Sequence, residues 1–295
     1  MDTKKIKFKP GHHLLKPFIP RKLKEVIKDI VSRVEDVGSQ SRRELLFGEN
    51  EPLVPPLRMM FEGPRDYELF KENGREFFEY LRRFCDLQPN HKILDIGCGI
   101  GRKTLPLITY LNEQGSYDGV DIVEKGVEWL RAKVGTKHPN FRFHLTDVSN
   151  GYYNAQGEIK AVNYKFPFPD NTFDIMLMGS VFTQMLTDEV ENYLAEVARV
   201  LKPGGQSFIT YFLLNEEAER LVSEGKGTLR LKHRVGKCRV EDKNSVADSV
   251  AHQEADMRAL YERCGFNIKD KIHYGFWCGR ESYTSYEDFI IAVKR

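Results

Sequence analysis

Apolar and polar positions follow two different periods along this chain. Leu23, Val26, Ile27, Ile30, Val31 and Val34 recur at three- and four-residue intervals, which predicts one helix with a single apolar stripe. Lys22, Lys24, Lys28 and Arg33 lie mostly off that stripe. A polar stretch from Gly38 to Asn50 reads as a linker, and Pro52 to Pro64, with its Pro-Pro pair, as extended chain. Asp66 to Cys85 reads as a helix with Phe70, Phe77, Phe78 and Leu81 on one side. From residue 92 the period changes. Short apolar runs at Ile93–Ile96, Tyr117–Val120, Phe141–Leu145, Phe173–Met178 and Gln206–Leu214 alternate with helical stretches, notably Val123–Val134 and Asp188–Leu201. Strands that alternate with helices predict an α/β fold, a parallel sheet covered on both faces.

Lys202-Pro-Gly-Gly205 stops the last of these helices and turns into the next strand. Residues 216–250 break the rhythm. They are polar, and Leu229 to Val240 alternates basic and apolar residues like a hairpin, so the segment reads as an inserted lid. A helix over Glu254–Cys264 then leads to Phe266–Tyr274 and Tyr286–Val293, a closing antiparallel pair. The expected organisation is a basic helical extension and linker over residues 1–50, followed by one domain over 51–295. That domain would hold a seven-stranded, mainly parallel sheet with an antiparallel last strand.

Composition narrows the function classes. Hydrophobic residues make up 41% and charged residues 30% of the chain, ordinary values for a globular protein. The net charge of +2 supplies no overall field that calls for nucleic acid. No apolar run reaches the length of a membrane span, and the polar, basic start lacks the apolar core of a signal peptide. The five cysteines are scattered without a Cys-x-x-Cys pair, so a reduced, cytoplasmic setting is expected. The basic amphipathic helix over residues 20–37 suits peripheral contact with an anionic membrane, or packing on the domain or on a partner copy.

The chemistry concentrates in Lys92-Ile-Leu-Asp-Ile-Gly-Cys-Gly-Ile-Gly-Arg102. A buried strand runs into three alternating glycines and then a helix. Such glycines let a ligand approach the backbone, and the helix start points N–H groups at it. A dinucleotide fingerprint needs a glycine at the sixth position, where this chain has Arg102. By itself the turn leaves a dinucleotide and S-adenosylmethionine (SAM) open. Asp121 ends the second strand, where a carboxylate can accept from both ribose hydroxyls of an adenosine; it can equally cap the next helix. Asp147 and Val148 end the third strand, where SAM sites hold the adenine and where an ordinary turn would also place an aspartate. Phe166-Pro-Phe-Pro-Asp-Asn-Thr-Phe-Asp174, an apolar strand to Ser180 and the Lys-Pro-Gly-Gly turn complete an order that favours SAM.

These elements resemble class I SAM-dependent methyltransferases. The closer resemblance is to a bacterial group of them, through Gly97-Cys-Gly-Ile-Gly-Arg, Tyr117-x-Gly-x-Asp, Ser180-Val-Phe-Thr, Arg199-Val-Leu-Lys-Pro-Gly-Gly and Gly275-Phe-Trp-Cys-Gly-Arg280, and it covers roughly residues 50 to 295. The resemblance implies a Rossmann-like fold. It implies Asp95, Gly97, Gly99 and Gly101 around the methionine end of SAM, Asp121 and Ile122 at the ribose, and Asp147 and Val148 at the adenine. Ser180 and Gln184 would lie near the cofactor or the transferred methyl. The group often carries histidine where this chain has Gln184, and an amide can orient an acceptor but cannot take a proton. Base candidates elsewhere are His252 first, then His233, His273, Glu216 and Glu217. Tyr67, Phe70, Tyr211, Trp277 and Arg280 are candidate pocket walls.

No metal-ligand spacing is evident, so no metal is expected. Met178-Gly-Ser-Val-Phe182 is not the Asn/Asp-Pro-Pro-aromatic loop of enzymes that methylate exocyclic base nitrogens, and there is no Pro-Cys nucleophile. A small-molecule, sugar or lipid-linked acceptor, methylated at O or N by in-line displacement, is the expected function. The alternative is a SAM-binding partner or regulatory subunit without catalysis, and a nicotinamide oxidoreductase ranks behind both.

Overall fold

The computed structural model describes residues 53–295. The amphipathic helix expected over residues 20–37 lies outside them. The chain divides into two compact units between Glu72 and Asn73. Of the first, the described part is a turn of 3-10 helix at Leu57–Met59 and the start of helix α1, Tyr67–Phe84.

The second unit is built on β1 (Lys92–Ile96), β2 (Ser116–Asp121), β3 (Phe141–Leu145), β4 (Phe173–Met178), β5 (Leu201–Leu214), β9 (Phe266–Ile268) and β10 (Asp288–Lys294). They pair in the order β3-β2-β1-β4-β5-β10-β9. The first five are parallel, and β10 runs antiparallel to β5, with Asp288 opposite Tyr211 and Val293 opposite Gln206. This is the Rossmann-like, mainly parallel sheet with an antiparallel last strand that the sequence predicts. Four of the five residues of β1 are buried, as a strand covered on both faces requires. The strand order reverses between β1 and β4, which creates a crevice at their carboxyl ends.

Helices cover both faces. Val190, Leu194 and Val197 of α4 (Thr187–Val200) share one core with Met176 of β4 and Ile209 of β5. Met257, Leu260 and Tyr261 of α6 (Glu254–Arg263) join it. Rings of α1 pack on β5 and β10: Phe77 on Phe208 at 5.9 Å and Phe84 on Phe289 at 5.5 Å. Helices α2 (Thr104–Tyr110) and α3 (Glu124–Leu130) flank the first strands, and α3 ends in a π-helical turn over Arg131–Gly135. The Lys-Pro-Gly-Gly run is extended chain within β5. Pairing jumps from Phe173–Leu201 to Ile175–Gln206 across it, and Gly204 takes φ +78°.

The polar segment after β5 is folded. Asn215 caps α5 (Glu216–Ser223) by accepting from the Ala218 N–H at 2.9 Å. Strands β6 (His233–Val235) and β7 (Cys238–Val240) form the expected hairpin. A strand the sequence does not announce, β8 (Val250–Gln253), pairs with β7 on one side and with Phe212–Leu214 of β5 on the other.

The start of β10 is fixed by a fully buried carboxylate. Asp288 Oδ2 accepts from the Leu213 N–H and from Trp277 Nε1, and Oδ1 accepts from the Gly275 N–H, each at 2.7 Å, and from Arg280 Nη1 at 2.9 Å. Arg280 reaches on to Glu217 Oε2 at 2.9 Å and lies over the Tyr274 ring. The Gly275–Arg280 loop, β5, β10 and α5 therefore meet at one ion pair whose side chains are 2% and 0% exposed. Removing one partner of such a pair leaves the other charge buried alone, at a cost of about 3–5 kcal/mol. Asp288→Ala is expected to lose that much in urea unfolding, and the exposed Glu217→Gln less than about 1 kcal/mol. Equal losses in the two variants would show that the buried carboxylate is not the anchor.

Candidate functional site

The glycine turn after β1 takes a shape closed to other residues. Gly97, Gly99 and Gly101 have φ of +77°, +59° and +91°. A Cβ on Gly97 would stand 2.5 Å from Val181 Cγ2, and one on Gly101 would stand 2.4 Å from Leu130 Cδ2. The Gly97 and Cys98 N–H groups both donate to the Val120 carbonyl, which ties the turn to β2. Helix α2 starts only at Thr104 and is seven residues long. The turn itself is mostly buried, with Gly97 half-buried and Gly99 and Gly101 covered, and the helix begins three residues beyond it.

Asp95 is fully buried. Oδ2 accepts from the Tyr117 hydroxyl at 2.7 Å, and Oδ1 pairs with Lys103 Nζ at 3.1 Å. Lys103 also donates to the Gly97 carbonyl at 2.8 Å, and Thr104 Oγ1 donates to the Tyr117 oxygen. Burial keeps the Tyr117 phenol protonated. Asp95 thus holds the turn in place from beneath. Lys103 is a site residue that the sequence reading missed; its position two residues past the third glycine is the only signal it carried.

Asp121, at the tip of β2, accepts from the Gly99 N–H at 2.7 Å through Oδ2 and from the Val123 N–H at 2.8 Å through Oδ1. The carboxylate is therefore oriented beside the turn and reaches the N–H of Val123, the residue just before α3, without capping the helix itself. Ile122 next to it is half-buried against the core. Asp147 is exposed. Its oxygens accept from Asn154 Nδ2 at 3.0 Å and the Glu158 N–H at 3.1 Å, and these hydrogen bonds hold the carboxyl below its usual range. Val148 is buried and bridges to Ile159.

Ser180 follows β4 with φ +57°, a left-handed conformation uncommon outside glycine. Its N–H donates to Thr210 Oγ1 at 2.7 Å, and its hydroxyl donates to Glu287 Oε1 at 2.8 Å. Gln184 Nε2 donates to the Ser180 carbonyl at 3.1 Å. The structure thus gathers Gly97, Lys103, Ser180, Thr210 and Glu287 at the carboxyl ends of β1, β4 and β5. The sequence motifs do not mark Thr210, within β5, or Glu287, which reaches this edge only because β10, which it precedes, runs antiparallel to β5.

The other base candidates sit elsewhere. His252, on β8, is 1% exposed. Its Nε2 meets the Phe182 carbonyl at 3.0 Å, so it carries the proton there, and Nδ1 faces Cys238 Sγ at 3.6 Å. His273 stacks on Phe289 with Phe84 tilted against it, His233 is exposed on β6, and Glu217 is held by Arg280. Glu216 is exposed at the start of α5. Of the expected pocket walls, Tyr211 is buried with its hydroxyl on Tyr261, and Trp277 and Arg280 belong to the Asp288 anchor. Tyr67 and Phe70 are buried in the first unit. Among the described residues no group of three or more His, Cys, Asp or Glu side chains is arranged to hold a metal ion. No described helix is long and apolar enough to cross a membrane.

Comparison with known proteins finds similarity over the same part of the chain. Residues 93–205 match the family model of a methyltransferase domain. The chain is 28% identical over 163 residues to the eEF1A lysine and N-terminal methyltransferase of Mus musculus, covering 49% of this chain and 21% of that protein. It is 24% identical over 202 residues to the sterol 24-C-methyltransferase of Yarrowia lipolytica, covering 68% of this chain and 46% of that protein. The chain thus spans less than half the length of these curated relatives. The solved structure of the PH0226 protein from Pyrococcus horikoshii OT3 shares the fold, with a TM-score of 0.54 and 16% identity over 86% of this chain and 99% of that one. The glycine turn, the Asp121 tip and strands β1 to β4 lie within the stretch, residues 93–205, that is similar to a methyltransferase domain.

Proposed function

We propose that the chain transfers a methyl group from SAM to a small-molecule, sugar or lipid-linked acceptor by in-line displacement. The observation that carries this reading is the pairing of Asp121 with the glycine turn. Its carboxylate is oriented by two backbone N–H groups, each of which uses one lone pair on one oxygen. A carboxylate held this way at the tip of the second strand suits the two hydroxyls of a ribose. Asp147, with Val148, serves the adenine in this reading, and Asp95 acts through Lys103 and Tyr117 to position the turn. Bound SAM supplies a methyl group already activated on a sulfonium. The chain's own contribution is then to hold the acceptor in line and keep water out.

His252 is a structural histidine in this reading. Burial pulls its pKa down to about 4, with the Phe182 carbonyl opposing the shift. A buried neutral ring that donates one proton to a carbonyl and faces a thiol with its other nitrogen is a poor proton acceptor from a substrate. The two curated relatives act, by their names, on a protein and on a sterol, so they support methyl transfer and leave the acceptor class open.

Calorimetry should detect SAM binding by the full chain, and Asp121→Ala should weaken it by about 1–3 kcal/mol, roughly 5- to 150-fold. Unchanged affinity in that variant would overturn the assignment. Formation of S-adenosylhomocysteine with a cell-extract acceptor pool separates catalysis from SAM binding alone. For His252, the unfolded ring takes up a proton more readily than the folded one. The stability linked to it is therefore complete above about pH 6.5 and lost as the pH falls toward about 4. The loss should reach roughly 3 kcal/mol. Urea midpoints measured across this range should fall less steeply for His252→Gln than for the parent chain.

A further inference from the structure

The carboxyl edge of the sheet holds a polar group that the binding of SAM leaves unexplained. Glu287 is the last residue before β10. Because β10 is antiparallel to β5, this residue reaches the same edge as the ends of β1 and β4. There it accepts from two hydroxyls, Ser180 Oγ at 2.8 Å and Thr210 Oγ1. Thr210 is in turn fixed by accepting the Ser180 N–H at 2.7 Å. The left-handed backbone of Ser180 is what lets its N–H and its hydroxyl engage two neighbouring strands at once. A non-glycine residue in that conformation is strained, and such strain concentrates at functional positions.

The neighbouring carboxylates and bases are committed. Asp95 is paired with Lys103 and Tyr117, Asp288 accepts four donors, His252 is sealed between Phe182 and Cys238, and Gln184 cannot take a proton. Ser180 is exposed, and Glu287 is only partly covered. Burial raises the Glu287 carboxyl above its ordinary range, with Asp288 adding to the rise and the two hydroxyls and Lys103 pulling the other way, which strengthens it as a proton acceptor.

We propose that Ser180 and Glu287 form a proton relay for a hydroxyl acceptor, with Ser180 touching the acceptor and Glu287 receiving the proton through it. The inference rests on the methyl-transfer reading above. In the step, the bond from the acceptor oxygen to the methyl carbon forms as the carbon–sulfur bond breaks, and the bonding pair stays on sulfur as a thioether. The acceptor's O–H proton passes to Ser180 Oγ, while the Ser180 proton passes to Glu287 Oε1. The carboxylic acid then releases it to solvent. A hydroxyl is a weak nucleophile until its proton leaves, and the pair supplies a path for that proton.

The test uses the full chain, methyl-tritiated SAM and a deproteinised small-molecule cell extract as acceptor pool. SAM affinity is measured separately by calorimetry. The wild-type chain should produce O-methylated product, recognised by release of label as methyl iodide in hydriodic acid. Its rate should fall on the acid side as Glu287 becomes protonated. Glu287→Gln should keep SAM affinity within about twofold, lose the acid limb of the pH profile and lose at least about 100-fold in rate. Glu287→Asp should recover part of that rate. Ser180→Ala, at an exposed position, should also lose rate and serves if the Glu287 variants do not fold. Full activity or an unmoved pH profile in Glu287→Gln, or label found on nitrogen or carbon, would overturn the relay. SAM binding without any transfer by the wild-type chain would overturn it too. Absence of SAM binding would instead overturn the methyltransferase reading itself.

Discussion

A single buried carboxylate sets the geometry on which the site depends. Asp288 draws four donors, from β5, from the backbone and indole of the Gly275–Arg280 loop, and from the Arg280 guanidinium. A carboxylate removed from water is costly unless its lone pairs are filled and a counter-charge is close. Here both conditions hold, so the segments that supply the donors are held to one arrangement. The last strand of the sheet is thereby fixed at its first residue, one position beyond Glu287. What looks like a packing detail at the start of β10 is what places a carboxylate opposite Ser180.

Environment assigns different tasks to residues of one chemical type. Asp95 is locked beneath the turn by an ammonium and a phenol, and it gives the glycines a rigid floor. Asp121 accepts a backbone N–H on each oxygen, which fixes the carboxylate beside the turn. Asp147 is exposed and charged, oriented by an amide and an N–H. Glu287 is covered enough to be raised but remains reachable through a hydroxyl. The sheet brings these four carboxylates to one edge, and their hydrogen-bond partners keep them from being interchangeable.

The strands were legible wherever an apolar run was bounded by turn residues. β3 and β4 occupy the ranges expected from the pattern, and α1 and α4 differ by a residue at their ends. The glycine turn and the Asp121 tip were legible because local steric and capping chemistry specify them. Three features were not. The expected strand over 266–274 ends at Ile268, because Asp270 takes φ +55° and breaks the extended backbone. β8 is four residues long and is created by its partners, so no local period announces it. Glu287 carries no motif at all, and its place follows from the direction of a strand, a property of topology rather than of neighbouring residues. His252 attracted attention as a histidine at a helix start, but the unannounced pairing of β8 with β5 buries it.

The length of β5 has one more consequence. Pairing with β4 ends at Ile209 and pairing with β10 begins at Tyr211, so Phe212, Leu213 and Leu214 outrun both neighbours. Three apolar residues at the end of a central strand would present bare backbone donors and acceptors, a template for a strand from another molecule. β8 occupies that template, and the ladder continues through β7 to β6, where His233 and Arg234 are exposed and charged or chargeable. β8, with β7 and β6 beyond it, therefore covers the end of β5 that would otherwise lie open to another strand, and a domain without these three strands would expose it.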